Sequence, residues 1–356
     1  MFTIELLPAD YGDCLWIEYG DPEAPQRILI DGGTLPTFKL LKQRILKLPE
    51  AQRRFELLVI THLDNDHIEA AVKLLNAEPP LAQFGEVWFN GHKHLFPPDA
   101  LGALEAAYFE ARITKLAIPW NQSFGGRSVV VPETGPLPQI TLPGGMALTV
   151  LSPGWPELIN LRPVWEKQLA DKGLTPEDDQ AALDKLAREK KYADLLGAGG
   201  PDLTQLAAAK FKADTSEANG SSIALLAEFE GKRCLLAGDA FPGVVAANIR
   251  RLPSGGDPLY LEACKVAHHG SQHNTSPELL ELLRCQNFLF SSSGKKFGHP
   301  DPETIARIIK QGRGPKLHFN YLSPQNEVWN DAALMKKANF QACFPPPGNP
   351  GISLSL

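Results

Sequence analysis

Four side chains that can bind a metal ion occur within six residues of one another, directly after a strongly apolar run. The segment His62-Leu63-Asp64-Asn65-Asp66-His67 follows the near-continuous apolar stretch 55–61, which is typical of a strand buried on both faces. Imidazole and carboxylate groups on one short loop can converge on a small volume, so the motif predicts a metal site. The alternative is a solvated polar turn, but such turns rarely carry two histidines as well.

Three segments in the second half of the chain repeat this arrangement of polar side chains after an apolar run. Asp239 follows the run that ends at Leu236, and His268 and His269 follow the run that ends at Ala267. His299 lies in a glycine-containing loop after a further run. Since strand ends of one sheet can meet at one edge, the four segments together predict a site at that edge.

Short strand-like runs are found at both ends of the chain and are interrupted by helical patterns. This distribution predicts a two-sheet core with helices outside it. The strand predictions are 2–7, 14–19, 27–30, 55–61, 86–90, 147–151, 222–229, 233–236, 264–267, 288–291 and 316–319. The helix predictions are 38–48, a segment ending at 75, one near 100–113, 175–196, 277–283 and 302–309.

Composition excludes several classes of protein. No stretch approaches 18 uninterrupted apolar residues, which excludes a membrane-spanning helix, and the acidic N-terminal segment is unlike a secretory signal. The formal charge of −6 argues against a basic surface over the whole molecule, although a local basic groove is compatible with it. Five cysteines without a Cys-x-x-Cys spacing predict thiols that pack as small hydrophobes in a reducing cytoplasm.

The motifs THLDNDH, LAGDA and HHGS, in this order, resemble those of the metallo-β-lactamase fold superfamily. They are most similar to the branch related to the hydrolase domain of the competence protein ComEC, in which an aspartate stands at the position of Asp64. The opening segments 10–13 and 29–33, the segment 219–222 and Gly298-His299-Pro300 also match, so the resemblance covers about 2–76 and 147–310. It implies a four-layer αββα sandwich. We expect one domain over 1–356, with a loop-rich insertion at about 91–145 and a helical insertion at about 155–218.

The resemblance also implies a centre of two divalent metal ions, zinc or manganese. His62 and Asp64 help to form the first position, and Asp66 and His67 form the second, with Asp239 bridging. His268 completes the second position, and His269 is a rival for this role. The superfamily's usual additional histidine is missing: Ser152-Pro153-Gly154 stands after the strand ending at Leu151. Asn219 is a candidate to take its place in part.

The remaining predicted roles surround the metal positions. Asp66 also orients the nucleophile, and His299 contacts the scissile group. Asp31 either fixes the tautomer of a metal-binding histidine or forms a turn. The residues predicted to bind the substrate are Ser271, Lys295, Lys296 and Asn219; a turn cap for Ser271 and a solvated surface pair for the two lysines are the alternatives.

Three functions are compatible with such a centre. The first is a metal-dependent phosphodiesterase or nuclease, with a phosphodiester substrate such as DNA or RNA; its basic rim would need help from Arg250-Arg251 or Arg53-Arg54. The second is a hydrolase of a small ester, lactone or thioester, favoured by an acidic or apolar rim under the 155–218 insertion. The third is a non-catalytic regulatory or binding protein with a degenerate site. The insertion is either a lid or a surface for a protein partner, and we expect no membrane association.

Overall fold

A computed structural model describes residues 1–95, 104–171, 201–253 and 258–356. Its strands are β1 (Phe2–Leu6), β2 (Leu15–Tyr19), β3 (Gln26–Ile30), β4 (Arg54–Phe55), β5 (Leu57–Val59), β6 (Gln83–Phe84), β7 (Val87–Trp88), β8 (Gln139–Thr141), β9 (Ala147–Ser152), β10 (Ala224–Phe229), β11 (Lys232–Leu236), β12 (Leu259–Lys265), β13 (Leu283–Phe290), β14 (Lys316–Phe319), β15 (Gln341–Cys343) and β16 (Ile352–Ser355). Its α-helices are α1 (Thr37–Leu46), α2 (Asn65–Leu75), α3 (Leu104–Lys115), α4 (Trp155–Asp171), α5 (Leu203–Ala207), α6 (Glu217–Gly220), α7 (Pro242–Ile249), α8 (Pro277–Leu282), α9 (Pro302–Gln311) and α10 (Ala332–Ala338).

The strands form two large mixed sheets. The first has the order β16-β1-β2-β3-β5-β7 and the second the order β15-β14-β13-β12-β11-β10-β9-β8. In the first sheet, β3, β5 and β7 run parallel; in the second, β11 to β15 run parallel. The parallel strands of each sheet therefore bring their carboxyl ends to a common edge, where loops can build a site.

The two sheets pack face to face through alternate residues of their strands. In β2, Leu15 and Ile17 lie in the core between the sheets, whereas Trp16 points to the other face. The period of two that assigns successive side chains to opposite faces explains this division. Residues of the second sheet in the same inter-sheet core include Val150, Leu225, Leu236, Ala263 and Leu289.

A helical layer covers the outer face of each sheet. Helices α1 to α4 pack on the first sheet, in a core that contains Leu41, Ile68, Phe109 and Trp165. Helices α7, α8 and α9 pack on the second sheet through Val245, Leu279 and Ile305, among others. The order helix, sheet, sheet, helix confirms the predicted four-layer αββα sandwich.

The ends of the sheets differ from the predictions. The C-terminal strand β16 pairs antiparallel with β1 and extends the first sheet, and β15 extends the second; neither strand was predicted. Strand β12 begins at Leu259, five residues earlier than predicted, and the predicted strand residue Ala267 lies in a 3₁₀ turn. The predicted helix 175–196 lies outside the described residues, while α4, α5 and α6 form the described part of the 155–218 segment.

Two predictions from the composition concern the burial of the cysteines and the absence of a membrane-spanning helix. Cys14, Cys234 and Cys264 are buried, as predicted, whereas Cys285 and Cys343 are only partly buried; all five cysteines are free. Among the residues that the structure describes, no helix has both the length and the apolar character needed to cross a bilayer.

Candidate metal centre

The first sheet contributes side chains that follow β3 and β5. Asp31 comes directly after β3, and His62 follows β5. Asp64 precedes α2 as its N-cap residue, and Asp66 and His67 lie in the first turn of that helix. The short link between β5 and α2 thus delivers the whole motif to one sheet edge.

The second sheet contributes side chains that follow β11 and β12. Asp239 follows β11 through Gly238, whose φ is +51° and whose absent Cβ would lie 2.4 Å from Ser222 Oγ. His268 and His269 lie in the turn after β12. The backbone NH of Ile223 donates to Thr61 O at 2.9 Å, which joins the strand ends of the two sheets.

Hydrogen bonds define the tautomer of His67. Its Nδ1 lies 2.8 Å from Asp31 Oδ2, and a carboxylate oxygen only accepts. The proton is therefore on Nδ1, and the lone pair of Nε2 points the other way. Asp31 also accepts from the backbone NH and the hydroxyl of Thr61, both at 2.8 Å. It therefore lies behind His67, and its role towards a metal ion stays a prediction.

Hydrogen bonds at Nδ1 also define the tautomers of His62 and His269. Because Thr61 Oγ1 donates its proton to Asp31, it accepts from His62 Nδ1, 3.1 Å away. His269 Nδ1 donates to the Ser291 carbonyl oxygen at 3.0 Å. Both imidazoles therefore also present the lone pair of Nε2 as a ligand.

These Nε2 atoms face one carboxylate. Asp239 Oδ2 lies 3.4 Å from His67 Nε2, 3.5 Å from His269 Nε2 and 4.0 Å from His62 Nε2. The three Nε2 atoms and Asp239 Oδ1 are buried and have no hydrogen-bond partner. A buried polar atom without a partner is unfavourable by about 1–3 kcal/mol, so this convergence of lone pairs fits a bound cation.

Two further carboxylates face the imidazoles. Asp66 Oδ2 lies 3.6 Å from His269 Nε2, and Asp64 Oδ2 lies 3.6 Å from His62 Nε2. The structure thus places His269 beside Asp66 and His67, where the sequence suggested His268 first. The donor set of imidazoles and carboxylates suits zinc and manganese alike.

In the absence of a cation, the carboxylates favour protonated imidazoles. Burial alone would lower the pKa of His269, but Asp239 and Asp13 outweigh it and raise this pKa to about 9. Burial is likewise outweighed by Asp239 and Asp31 at His67, whose pKa is raised well above its usual range. Conversely, the imidazoles lower the pKa of Asp239 and Asp66 despite their burial. The carboxylates therefore favour positive charge at this site, as a proton on an imidazole or as a bound cation.

A buried ion pair behind the centre was not predicted. Lys265 Nζ contacts Asp13 Oδ2, and each residue is only 1% exposed. Asp13 Oδ1 lies 3.3 Å from His269 Nδ1, and ligand atoms of Asp13, His67, Asp239 and His269 all lie within 4.8 Å of one another. Asp13 faces the Nδ1 side of the imidazole and is engaged by Lys265, so we place it behind His269 rather than among the ligands.

Close backbone packing holds this pair in place. A Cβ on Gly12 would lie 1.8 Å from the Asp66 carbonyl oxygen, and the Asp13 NH donates to that same oxygen at 3.2 Å. Only glycine allows the loop to approach the start of α2 so closely. Gly12, in the segment 10–13, was the available sign of this arrangement in the sequence. Lys265, the partner of Asp13, lies 252 residues further along the chain, and no sequence pattern links the two.

His268 also faces Asp239. Its Nε2 is 3.8 Å from Asp239 Oδ2, and its Nδ1 is 2.8 Å from Asn274 Oδ1. Asn219 donates to Asp214 Oδ2 at 2.7 Å and has its amide nitrogen 3.4 Å from His268 Nδ1. Asn219 therefore lies behind His268; its predicted contact with substrate stays a prediction.

The residues predicted to contact the substrate differ in their burial and in their neighbours. Ser271 is buried, and its hydroxyl accepts from the His273 NH at 3.2 Å, which corresponds to the alternative of a turn cap. His299 lies beside His268, with ring centroids 5.3 Å apart, and its Nδ1 is 3.2 Å from Asp301 Oδ1. Lys295 and Lys296 lie in the same loop as His299.

Two aromatic rings lie beside Lys296. Lys296 Nζ lies 4.7 Å from the ring centre of Tyr11 and 4.6 Å from that of Phe297, and these rings meet edge to face. Lys295 is exposed, with Nζ 3.7 Å from Asp10 Oδ1. We call Tyr11, Lys295, Lys296, Phe297 and His299 the rim cluster.

The arginines considered for a basic rim have local partners. Arg250 pairs with Glu278 and Arg54 with Glu56. Arg251 donates to Asn248 Oδ1 and the Gly135 carbonyl oxygen, and Arg53 donates to backbone carbonyls. The rim cluster therefore gains no cation from these pairs.

Comparisons with known proteins give distant structural similarities. No protein-family model matches the sequence, and a search of curated proteins finds no match. CmlA, a diiron β-hydroxylase from Streptomyces venezuelae, is similar at 12% identity and a TM-score of 0.40, and a CmlA point mutant at 13% and 0.39; each covers all of this chain, which spans 54% of the CmlA chain. A protein of Parabacteroides distasonis assigned as a metal-dependent hydrolase is similar at 10% identity and a TM-score of 0.35, covering 96% of this chain and 91% of its own.

Proposed function

We propose that this protein is a metal-dependent hydrolase whose centre holds two divalent ions, zinc or manganese. The observation that carries the proposal is the convergence of three unpartnered, buried Nε2 atoms on Asp239. When bound, such ions lower the pKa of water towards about 7 and stabilise the negative charge that develops on the scissile group.

The charge of the buried side chains supports two ions rather than one. Four buried carboxylates, from Asp13, Asp31, Asp66 and Asp239, face one buried ammonium, from Lys265. Asp64, a candidate ligand whose side chain is 42% exposed, adds a fifth carboxylate. With neutral imidazoles, which metal binding requires, the net charge of these groups is negative. Two divalent ions offset more of this charge than a single ion does, and an unbalanced buried charge is strongly unfavourable.

The openness of the centre favours catalysis over a structural or degenerate site. The side chain of Asp64 is 42% exposed and that of His268 22% exposed, so water and a substrate reach the centre from this side. Structural metal sites are closed by protein ligands, whereas catalytic ones keep a position open. In this proposal Asp66 orients the nucleophile and His299, held by Asp301, contacts the scissile group.

The rim cluster favours a phosphodiester substrate. Lys295 and Lys296 supply positive charge for a phosphate oxygen, and Tyr11 and Phe297 offer faces on which a nucleobase can stack. The engaged arginines leave few cations for a long polyanion, whose binding needs several phosphate contacts. We therefore propose a short nucleotidic phosphodiester or the single-stranded end of DNA or RNA.

The second candidate is a hydrolase of a small ester, lactone or thioester. A cavity of about 560 Å³ lies between α4, α6 and Phe241, two residues beyond Asp239. Its walls include Ile159 and Pro163, the acidic residues Glu157 and Glu217, and one basic residue, Arg162. Because acidic side chains outnumber basic ones in this lining, an uncharged substrate suits it better than a phosphate does.

An activity screen separates these candidates. Purified protein supplied with manganese or zinc is assayed on single-stranded DNA, on bis(4-nitrophenyl) phosphate and on a lactone. We expect phosphodiester hydrolysis that disappears in the Asp66→Ala/His67→Ala variant. Lactone hydrolysis alone would support the second candidate, and activity that persists in the variant would contradict the proposed centre.

The rim cluster has its own test. Lys295→Ala/Lys296→Ala should raise the KM for the phosphodiester by about tenfold or more, since each charge-assisted hydrogen bond contributes about 1.5–3 kcal/mol. The exposed pair Lys336 and Lys337 on α10 gives the matched control, Lys336→Ala/Lys337→Ala, which should leave KM unchanged. Equal KM values for both variants would exclude a role of the rim lysines.

A further inference from the structure

We infer that His268 and His269, although adjacent in sequence, belong to different metal positions, and that His268 completes the first one. This inference rests on the proposed two-ion centre and goes beyond it by assigning the ligand that the first position lacks. The second position has Asp66, His67 and His269 together with the shared Asp239. The first has only His62 and Asp64 besides Asp239.

The strand end that the resemblance associates with an additional histidine offers no such ligand. Ser152 is the last residue of β9 and pairs with Ala224 of the neighbouring strand. It is fully buried, and its hydroxyl has no hydrogen-bond partner. A serine side chain is much shorter than an imidazole, so a ligand for the first position must come from another strand.

An unusual backbone allows two consecutive histidines to face one carboxylate. Successive side chains of an extended strand point to opposite faces. Here His268 and His269 both have left-handed φ angles, 46° and 55°, which are unfavourable for residues with a Cβ. As a result, Asp239 Oδ2 lies 3.8 Å from His268 Nε2 and 3.5 Å from His269 Nε2.

Backbone hydrogen bonds maintain this strained turn. The His268 NH donates to the Gly238 carbonyl oxygen at 3.0 Å, and the Ser271 NH donates to the His268 carbonyl oxygen at 2.8 Å. Residues in such conformations persist when the surrounding structure compensates the strain, and they cluster at functional sites. The strain places a second imidazole beside Asp239, which a relaxed turn would direct elsewhere.

The hydrogen-bond network also leaves His268 in the tautomer of a ligand. The Asn274 amide nitrogen donates to Asp214 Oδ2 and to the Asp239 carbonyl oxygen, both at 3.0 Å. This fixes Asn274 Oδ1 towards His268 Nδ1, 2.8 Å away. An amide oxygen only accepts, so Nδ1 carries the proton and the lone pair of Nε2 faces Asp239.

Metal stoichiometry tests the assignment without any substrate. Zinc or manganese is titrated into chelator-treated wild type, into His268→Gln and into His269→Gln, and bound metal is measured by elemental analysis and by competition with a chromophoric chelator. His273→Gln is the matched control, because His273 lies on the same loop and bonds the Lys212 carbonyl oxygen instead. We expect the wild type and the control to bind two ions. In His268→Gln we expect one ion to bind as in the wild type and the other to bind about 100-fold more weakly.

The outcomes distinguish the assignment from the proposed function. Two ions bound by His268→Gln with wild-type affinity would overturn the assignment and leave the two-ion centre intact. Failure of wild type to bind any ion would overturn both. An anomalous difference map of wild-type crystals grown with zinc answers the same question if the variants do not fold: density between His62, Asp64 and His268 confirms the assignment, and its absence there contradicts it.

Discussion

At the scale of single residues, Asp31 decides how His67 is presented to a metal ion. It accepts three hydrogen bonds, two from Thr61 and one from His67 Nδ1. An asparagine has a single acceptor oxygen, so in Asp31→Asn an NH₂ group meets Thr61 Oγ1 and His67 Nδ1. The tautomer with the proton on Nε2 then becomes favoured, and that nitrogen is no longer a ligand.

We therefore expect Asp31→Asn to weaken metal binding by about 10- to 100-fold, the usual effect of losing a carboxylate behind a metal-binding histidine. Competition with a chelator of known affinity measures the change. The control is Asp202→Asn, which alters a carboxylate that accepts two backbone hydrogen bonds at the start of α5. Unchanged affinity in Asp31→Asn would show that Asp31 only forms a turn.

Lys265 and Asp13 form a buried ion pair whose charges affect the stability of the fold. Replacing one member leaves the other as an unpaired charge in the interior, which typically lowers the free energy of unfolding by about 3–5 kcal/mol. Replacing both members is often tolerated. We expect Lys265→Met to be much less stable than Lys265→Met/Asp13→Asn. Urea unfolding in the presence of a chelator measures this, because bound metal then contributes nothing to the difference. A double variant at least as unstable as the single one would contradict this account.

At the scale of elements, periodicity identified most of the sandwich. The runs at 2–7, 14–19 and 316–319 are strands, because alternation or continuous burial makes their patterns distinct. The C-terminal strand Ile352–Ser355 was missed, since it is short and its stability depends on pairing with β1 at the opposite end of the sequence. Helix Pro242–Ile249 was also missed; it follows the Gly-Asp turn directly and has no charged residue to mark a polar face.

The site was predictable to the extent that its residues form motifs. The segment 62–67, Asp239 and the histidine pair come together as the motifs indicate. Two features were not accessible. The buried partner Lys265 lies within an apolar run and shows no sign of charge compensation, and the division between His268 and His269 depends on φ angles that a sequence does not specify.

The 3₁₀ turn between β7 and α3 gives the molecule an acid-sensitive element. His94 in this turn is buried, its ring lies against Trp120, and both ring nitrogens lack hydrogen-bond partners. Burial, together with Lys93, lowers the pKa of His94 from 6.5 to about 3. The unfolded chain therefore binds a proton near pH 6.5 that the folded protein rejects, so stability falls as the pH drops below about 6.5.

We expect His94→Phe to remove this contribution while keeping a ring against Trp120. Between pH 7.5 and 4.5 the wild type should lose about 2–3 kcal/mol more of its free energy of unfolding than the variant does. Urea unfolding curves at the two pH values give both losses, and titrating groups that the proteins share cancel in the difference. Equal losses would mean that His94 takes up its proton in the folded state.

At the scale of the whole molecule, the centre joins the two halves of the sandwich. His62, Asp66 and His67 follow strands of the first sheet, whereas Asp239, His268 and His269 follow strands of the second. An ion held by ligands from both sheets binds the folded chain and not the unfolded one. Metal binding should therefore stabilise the entire fold, because the sheets cannot separate without releasing the ion.

The expected size of this effect follows from mass action. At a free metal concentration 100 times the dissociation constant, each filled position adds about 2.7 kcal/mol to the free energy of unfolding, so two independent positions add roughly twice that. Urea unfolding of the protein with a chelator and with saturating manganese or zinc measures the gain. In Asp239→Ala the shared ligand is lost from both positions, and added metal should leave the urea midpoint unchanged. A gain of the same size in Asp239→Ala and wild type would mean that the stabilising ion binds elsewhere. A gain of only about 2.7 kcal/mol in the wild type, the value for one filled position, would contradict the charge argument for two ions.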